Sequence, residues 1–270
     1  MAFGLIIIGD EILSGKRQDK HFPRVLELLS ARGLTLAWAR YLGDDRERLV
    51  AALRESFASG DTVFSCGGIG ATPDDHTRQA AAAALGLPLA LHPEARALIA
   101  ERTAEMAREG KGSADMSTPE NRQRLRMGEF PAGAQIIPNP YNRIPGFAIR
   151  QHYFVPGFPV MAWPMIEWVL DHHYAHLHHR QPQAERSLLL FQTPESAATP
   201  LMEAIEARFP GVKVFSLPSV GDDRRARHIE LGVKGPVALV EAAWPELEAG
   251  ARALGPVEDL ADASTRAERR

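Results

Sequence analysis

One stretch of this chain gathers residue types that can do chemistry together: Ser65-Cys66-Gly67-Gly68-Ile69-Gly70-Ala71-Thr72-Pro73-Asp74-Asp75-His76-Thr77. Gly67, Gly68 and Gly70 let the backbone approach a ligand and take positive φ. A helix starting just beyond them would present unpaired N–H groups to a phosphate or carboxylate. Thr72 suits its N-cap, Pro73 its first position, and Asp75 the third residue of a capping box. Helix capping alone accounts for one acid of the Asp74-Asp75 pair. Two carboxylates beside a phosphate cradle would repel the anion, and a divalent cation between them removes that conflict. Glycines and acids together therefore point to a metal–phosphate site.

Two more acidic patches follow apolar runs, Gly9-Asp10-Glu11 after residues 5–8 and Gly43-Asp44-Asp45 after 34–42. In an open parallel sheet the carboxyl ends of strands line the ligand crevice, so the three patches should converge on one edge. Asp45 reads as the N-cap of the next helix and Asp10 as a turn former. Glu11 and Asp44 are then the site candidates.

These residues need a frame. Residues 5–8 and 62–65 are continuous apolar runs, the pattern of strands buried on both faces. The spacing predicts helices over 21–31, 45–58, 72–85, 93–108 and 160–174, and strands over 34–42, 134–137, 147–149 and 153–155. A mobile loop is expected over 109–117. Repeated strand–helix units favour an α/β fold, three layers around a mostly parallel sheet. Residues 180–186 read as a linker. Strand 187–191, helix 195–209, strands 212–217 and 228–233 and helix 236–254 then form a small βαββα domain of α+β type. The expected division is 1–179, 187–255 and a disordered tail at 256–270.

Composition restricts the function classes. Of 270 residues, 45% are hydrophobic and 24% charged, a globular balance. A net charge of -3 with dispersed arginines gives no reason to expect nucleic acid as a partner. The single cysteine, Cys66, allows no internal disulfide. No window has the length of a membrane span, and the first residues lack a signal-peptide pattern. A soluble cytoplasmic protein with no membrane partner is expected.

Ile7-Ile8-Gly9-Asp10-Glu11-Ile12-Leu13-Ser14-Gly15, the 67–77 segment, and Asn139-Pro140 followed by Pro145-Gly146-Phe147 resemble the amino-terminal family of competence/damage-inducible protein A, CinA. The same motifs are similar to the molybdopterin-binding domain of eukaryotic FAD synthases. The resemblance runs from about residue 5 to 174, and the remainder looks like the small domain that follows in CinA. It implies a molybdopterin-binding-domain fold and homo-oligomeric assembly. It gives Asp75 and Asp44 catalytic and metal-holding roles; Glu11, a candidate from its strand exit, is expected to join them on the metal, which would be Mg²⁺ or Co²⁺. Gly67, Gly68, Gly70 and Thr72 match the phosphate-facing loop, with Asp74 and Thr77 in the same ligand-facing stretch. Ser14 falls in the first loop near bound pterin or nucleotide phosphate. Two positions depart from the family pattern: Pro159-Val160-Met161-Ala162 lacks the Glu of a Pro-x-Glu-Met stretch, and Ala71 replaces a proline.

The expected function is a metal-dependent nucleotide pyrophosphatase of the ADP-ribose or FAD class. The alternative is a molybdopterin or nucleotide binding protein without chemistry, linked to molybdenum cofactor biosynthesis. An interaction role for the small domain is a third reading. His172 and His176 stand one helical turn apart, a spacing that can bind zinc. A solvated helix end accounts better for the cluster of His172, His173, His176, His178 and His179. Cys66 reads as a buried strand-end thiol.

Overall fold

Phe3–Ile8 is buried at every position and forms an interior strand of the first sheet, β1. Its alternation divides the interior in two. Leu5 and Ile7 belong to one core, Ile6 and Ile8 to another. The computed structural model describes residues 2–180, 182–221 and 226–260. The chain separates into two units, Met1–His178 and His179–Arg270.

In the first unit β1 leads into the single turn α1 (Asp10–Leu13), α2 (His21–Ser30), β2 (Leu36–Leu42), α3 (Arg46–Ser59), β3 (Thr62–Cys66) and α4 (Thr77–Leu85). Next come β4 (Leu89–Leu91), α5 (Pro93–Arg108), α6 (Pro119–Leu125), β5 (Glu129–Pro131) and β6 (Gln135–Ile137). The unit ends with β7 (Gly146–Ile149), β8 (His152–Val155) and α7 (Pro159–His173). The six-stranded sheet runs β2-β1-β3-β8-β7-β6. β1, β2, β3 and β8 are parallel, while β7 runs antiparallel to both of its neighbours, β8 and β6. Val25, Leu28 and Leu29 of α2 share the first core with Met165, Ile166 and Val169 of α7. Leu49 and Leu53 of α3 share the second with Ala80 and Ala81 of α4. Helices thus cover both faces, a mixed α/β fold with a mostly parallel central sheet. β4 and β5 form a separate two-stranded pair.

The local signals explain most boundaries. Asp45 caps α3 by accepting from Arg48 N at 2.8 Å. Two residues with positive φ, Arg150 and Gln151, connect β7 to β8, as a tight hairpin requires. α4 begins at Thr77, not Thr72. The 109–117 segment, expected as a mobile loop, is held by buried Asn121, whose amide donates to Ser113 O and Asp115 O, both at 2.8 Å. Asn121 sits on α6, capped by Thr118. Trp163 and Trp168 pack partly against the first core.

The second unit contains β9 (Gln183–Phe191), α8 (Glu195–Arg208), β10 (Lys213–Ser219), β11 (His228–Pro236), α9 (Val237–Leu254) and β12 (Val257–Asp259). Its antiparallel sheet runs β10-β11-β9-β12. Leu188, Leu190, Leu231 and Val233 meet Val240, Trp244 and Leu247 in a third core. Two expectations are corrected. Residues 183–186 are not linker but the start of β9, paired with β11 at 233–236. Residues 257–259 are not frayed tail but β12, which pairs with Leu188–Leu190 and covers the outer edge of β9. The rest of the expected tail, 261–270, lies outside the described residues.

His152 is buried at the start of β8. Its Nδ1–H donates to Arg150 O at 3.0 Å, and Nε2 accepts from Ser56 Oγ at 2.7 Å. Burial lowers its pKa from 6.5 to about 4. Between those values the unfolded chain binds the extra proton, so the contribution is full above pH 6.5 and is lost toward pH 4. The expected loss is about 3 kcal/mol. Urea titrations at pH 7 and pH 4.5 should show a smaller difference for His152→Gln than for wild type; equal differences would exclude His152 as the source.

Candidate functional site

At the carboxyl ends of β1, β2 and β3 the chain turns away from the sheet and leaves a cleft of about 490 Å³. Gly9 N donates to Leu42 O at 3.0 Å, tying the exit of β1 to that of β2. Asp10 and Asp44 complete this seam: Asp10 N donates to Asp44 Oδ2 at 2.9 Å, and Asp44 N to Asp10 Oδ1 at 3.2 Å. The Asp44 carboxyl is pushed up by burial and then by the charges of Asp10, Glu11 and Asp74, against the lowering effect of the Asp10 N–H. Asp44, Glu11 and Asp74 thus oppose one another electrostatically.

The exit of β3 needs its glycines for reasons of packing. At Gly67, φ is +110° and a Cβ would stand 2.3 Å from Ile8 O. At Gly68, φ is +68° and a Cβ would stand 2.2 Å from Thr77 Oγ1. Both are positions where a side chain cannot be accommodated. Thr77 is fully buried; its hydroxyl donates to Gly67 O at 3.1 Å and its N–H to Gly68 O at 3.0 Å.

Between the glycines and α4, residues 72–75 form a turn. Asp75 N donates to Thr72 O at 3.1 Å, and Thr72 N donates to Asp75 Oδ2 at 2.9 Å. The Thr72 hydroxyl donates to the same oxygen. These are capping-box partners, but they close a turn before the helix starts. The expected cap at Thr72 is therefore corrected: His76 occupies the N-cap. A Cβ at Gly70 would meet the Asp75 carboxylate at 2.6 Å, so that carboxylate lies over the loop.

Of the residues singled out from sequence, Glu11, Asp44, Gly67, Gly68, Gly70, Thr72, Asp74 and Asp75 line this cleft. Ser14 lies outside it, in a shallow depression shared with Lys16, Asp44 and Asp74. Thr77 does not line the cleft, because its hydroxyl is turned inward onto Gly67. Among the described residues no group of three His, Cys, Asp or Glu side chains is assembled to hold a metal ion. This includes the histidine cluster. His172 Nδ1 is hydrogen bonded to Trp168 O at 2.8 Å, His178 Nε2 to Leu170 O at 3.2 Å, and His173 packs on the Trp168 ring. Cys66 is buried, which pushes its thiol up and leaves it unreactive.

Sequence reasoning missed Arg78 and Gln123. Arg78 is 1% exposed and sits in the first turn of α4. Its guanidinium donates to Gly70 O at 2.5 Å and to Arg126 O. Burial lowers its pKa. The Gln123 amide donates to the adjacent Ala71 O. Two side chains thus hold successive loop carbonyls, and nothing in local spacing marks either. On the opposite wall, buried Asn139 donates to Asn142 Oδ1 at 2.8 Å and Ile144 O at 2.9 Å, closing the 139–144 loop. Arg78→Met leaves two carbonyls without their donor and should cost about 2–4 kcal/mol. Chemical denaturation reads this directly, and a loss well below about 1 kcal/mol would remove Arg78 as the tether.

The family described as "Probable molybdopterin binding domain" matches residues 4–176. A CinA-like protein of Anaeromyxobacter sp. (strain Fw109-5) is 34% identical over 250 residues, covering 86% of this chain. One from Anaeromyxobacter dehalogenans (strain 2CP-C) is 32% identical over 253 residues, covering 90%. The chain spans 58% and 57% of the lengths of these two relatives. Among solved structures, the protein CinA from Thermoplasma acidophilum matches with a TM-score of 0.54 and 24% identity, over 64% of this chain and 98% of that one. No helix among the described residues is long and apolar enough to cross a membrane. The match takes in the sheet, the strand exits and the whole glycine loop, and the chain belongs to the molybdopterin-binding domain family.

Proposed function

We propose that the cleft binds a phosphate-bearing nucleotide or pterin, molybdopterin among them. With a divalent cation, Mg²⁺ or Co²⁺, it would hydrolyse a nucleotide pyrophosphate of the ADP-ribose or FAD class. One observation carries the reading: the backbone of Gly67–Gly70 and the carboxylates of Glu11, Asp44, Asp74 and Asp75 share a single cleft of about 490 Å³. That volume suits a nucleotide-sized ligand.

The donor set fits a cation that takes one or two carboxylates and completes its shell with phosphate oxygens and water. Burial and the neighbouring carboxylates raise the Asp44 pKa, and a positive charge there would relieve the repulsion. At most two of these acids would hold it directly, Asp44 with one of Glu11, Asp74 and Asp75, and phosphate oxygens and water would fill the other positions. A bound cation would neutralise charge developing on the pyrophosphate. Other tasks fall to the chain itself. Backbone N–H groups at the glycine loop would orient phosphate oxygens. Arg78 and Gln123 would keep the loop carbonyls turned away from the anion.

A second reading, binding without turnover, is favoured by the carboxylates already engaged within the protein, Asp75 by Thr72 and Asp44 by Asp10 N. Hydrolysis of ADP-ribose and FAD, measured with Mg²⁺ and with Co²⁺, separates the two. Asp44→Asn and Asp75→Asn should each lower turnover by about a hundredfold or more. Calorimetric affinity for ADP-ribose in EDTA should change only a few-fold, since the loop N–H groups remain. No turnover by wild type under any of these conditions would select the binding reading.

A further inference from the structure

Arg17 is the one basic side chain among the described residues that line the cleft. Arg24, Arg32 and Arg40 are paired with Glu27, Asp171 and Glu55 at 2.9, 2.6 and 2.5 Å. Arg17 lines a cleft walled by Glu11, Asp44, Asp74 and Asp75. Its guanidinium nevertheless makes no ion pair or hydrogen bond among the described residues. Its backbone is fixed, because Arg17 N donates to Glu11 O at 2.9 Å after a left-handed Gly15 at φ +72°. A free cation on an anchored backbone is thus held at the edge of an acid-rich cavity without being neutralised by it.

The position is specific. Arg17 also lines a smaller pocket of about 300 Å³ that adjoins the cleft. The two cavities share Ile8, Glu11, Gly157 and Phe158 as well as Arg17. Phe158 is 55% exposed there, an apolar ring left uncovered at the junction. An anionic ligand entering this cleft meets four carboxylates and must find positive charge. Lysine would offer a point charge, whereas arginine offers a planar fork that grips two phosphate oxygens at once.

We propose that Arg17 binds the ligand's phosphate at the junction of the cleft and the smaller pocket, and so sets the preference of this site for phosphate-bearing ligands. The proposal rests on the function proposed above. The phosphate at Arg17 lies between the part of the ligand seated on the glycine loop and the part directed toward Phe158 and the smaller pocket. Arg17 supplies charge that belongs to the protein, so its contribution persists without a divalent ion.

The test is calorimetric binding of ADP-ribose, FAD and inorganic pyrophosphate to the full chain, in EDTA and in Mg²⁺. For whichever probes bind wild type, Arg17→Gln should weaken affinity by about tenfold to a hundredfold in both conditions. Arg17→Lys should recover part of the loss. Arg46→Gln, an equal charge change on an exposed residue that lines neither cavity, should stay within about threefold. Arg17 is exposed, so its variants should keep the wild-type melting temperature. Unchanged affinity in Arg17→Gln overturns the role of Arg17 and leaves the proposed function standing. An equal loss in Arg46→Gln overturns it too, since net charge would then be the cause. Failure of wild type to bind any of the three probes overturns the nucleotide reading of the proposed function and this inference together.

Discussion

The buried guanidinium of Arg78 is the interaction on which the site depends. A cation removed from water is costly unless its protons are accepted. Here the acceptors are carbonyls, Gly70 O and Arg126 O, and not a carboxylate. The carboxylates of Glu129 and Asp75 act on the charge only from nearby, and the hydrogen bonds hold two backbone segments together. One is the glycine loop leaving β3; the other enters β5. Three glycines make the loop free to move when unfolded, so ordering it loses much conformational entropy. Arg78, Gln123 and the Thr77 hydroxyl offset that loss by engaging Gly70, Ala71 and Gly67 in turn.

Around that fixed loop the cleft is arranged against its own electrostatics. The Asp10–Asp44 seam satisfies two backbone N–H groups and joins two strand exits, but it brings carboxylates together. Burial and repulsion both raise the pKa of Asp44. Structural acids would ordinarily be paired with the abundant arginines, as elsewhere on this surface. Leaving them opposed to one another, with Arg17 turned to the cavities, is the kind of local conflict that functional sites retain. The carboxylate of Asp75 has a double task, because it closes the turn at Thr72 and covers Gly70.

The second unit follows a different logic. Its sheet is antiparallel and carries a core on the side facing α8 and α9. β9 shows why its boundary was hard to read. Its first residues, Gln183, Ala184, Glu185 and Arg186, are polar or small and pair with β11 only through tertiary contact. β12 is three residues long and has no periodicity to detect. Strand identity in both places comes from the partner strand and not from the local pattern.

Much of the first unit was legible because burial on both faces leaves a run that only a central strand tolerates. Phe3–Ile8 and Thr62–Cys66 are such runs, and the amphipathic spacing of α2, α3 and α7 required layers on both sides of them. Acids directly after the strands announced a crevice, since strand exits in a parallel sheet share one edge. The start of α4 was misread for a physical reason. Thr72 and Asp75 satisfy one another across three residues equally well in a helix cap and in an isolated turn. What selected the turn is the Thr77 contact with Gly67 and Gly68, which the loop must fold to create. The glycines were recognised but their reason was not, because Ile8 O approaches Gly67 only when β1 and β3 are paired. Arg78 meets Arg126 O across 48 residues and Asp10 meets Asp44 across 34. Sequence spacing by itself determined the hydrogen bonds made within about a helical turn, and the burial that alternation demands. The contacts that hold the loop rigid join groups distant along the chain, and only the tertiary structure could decide them.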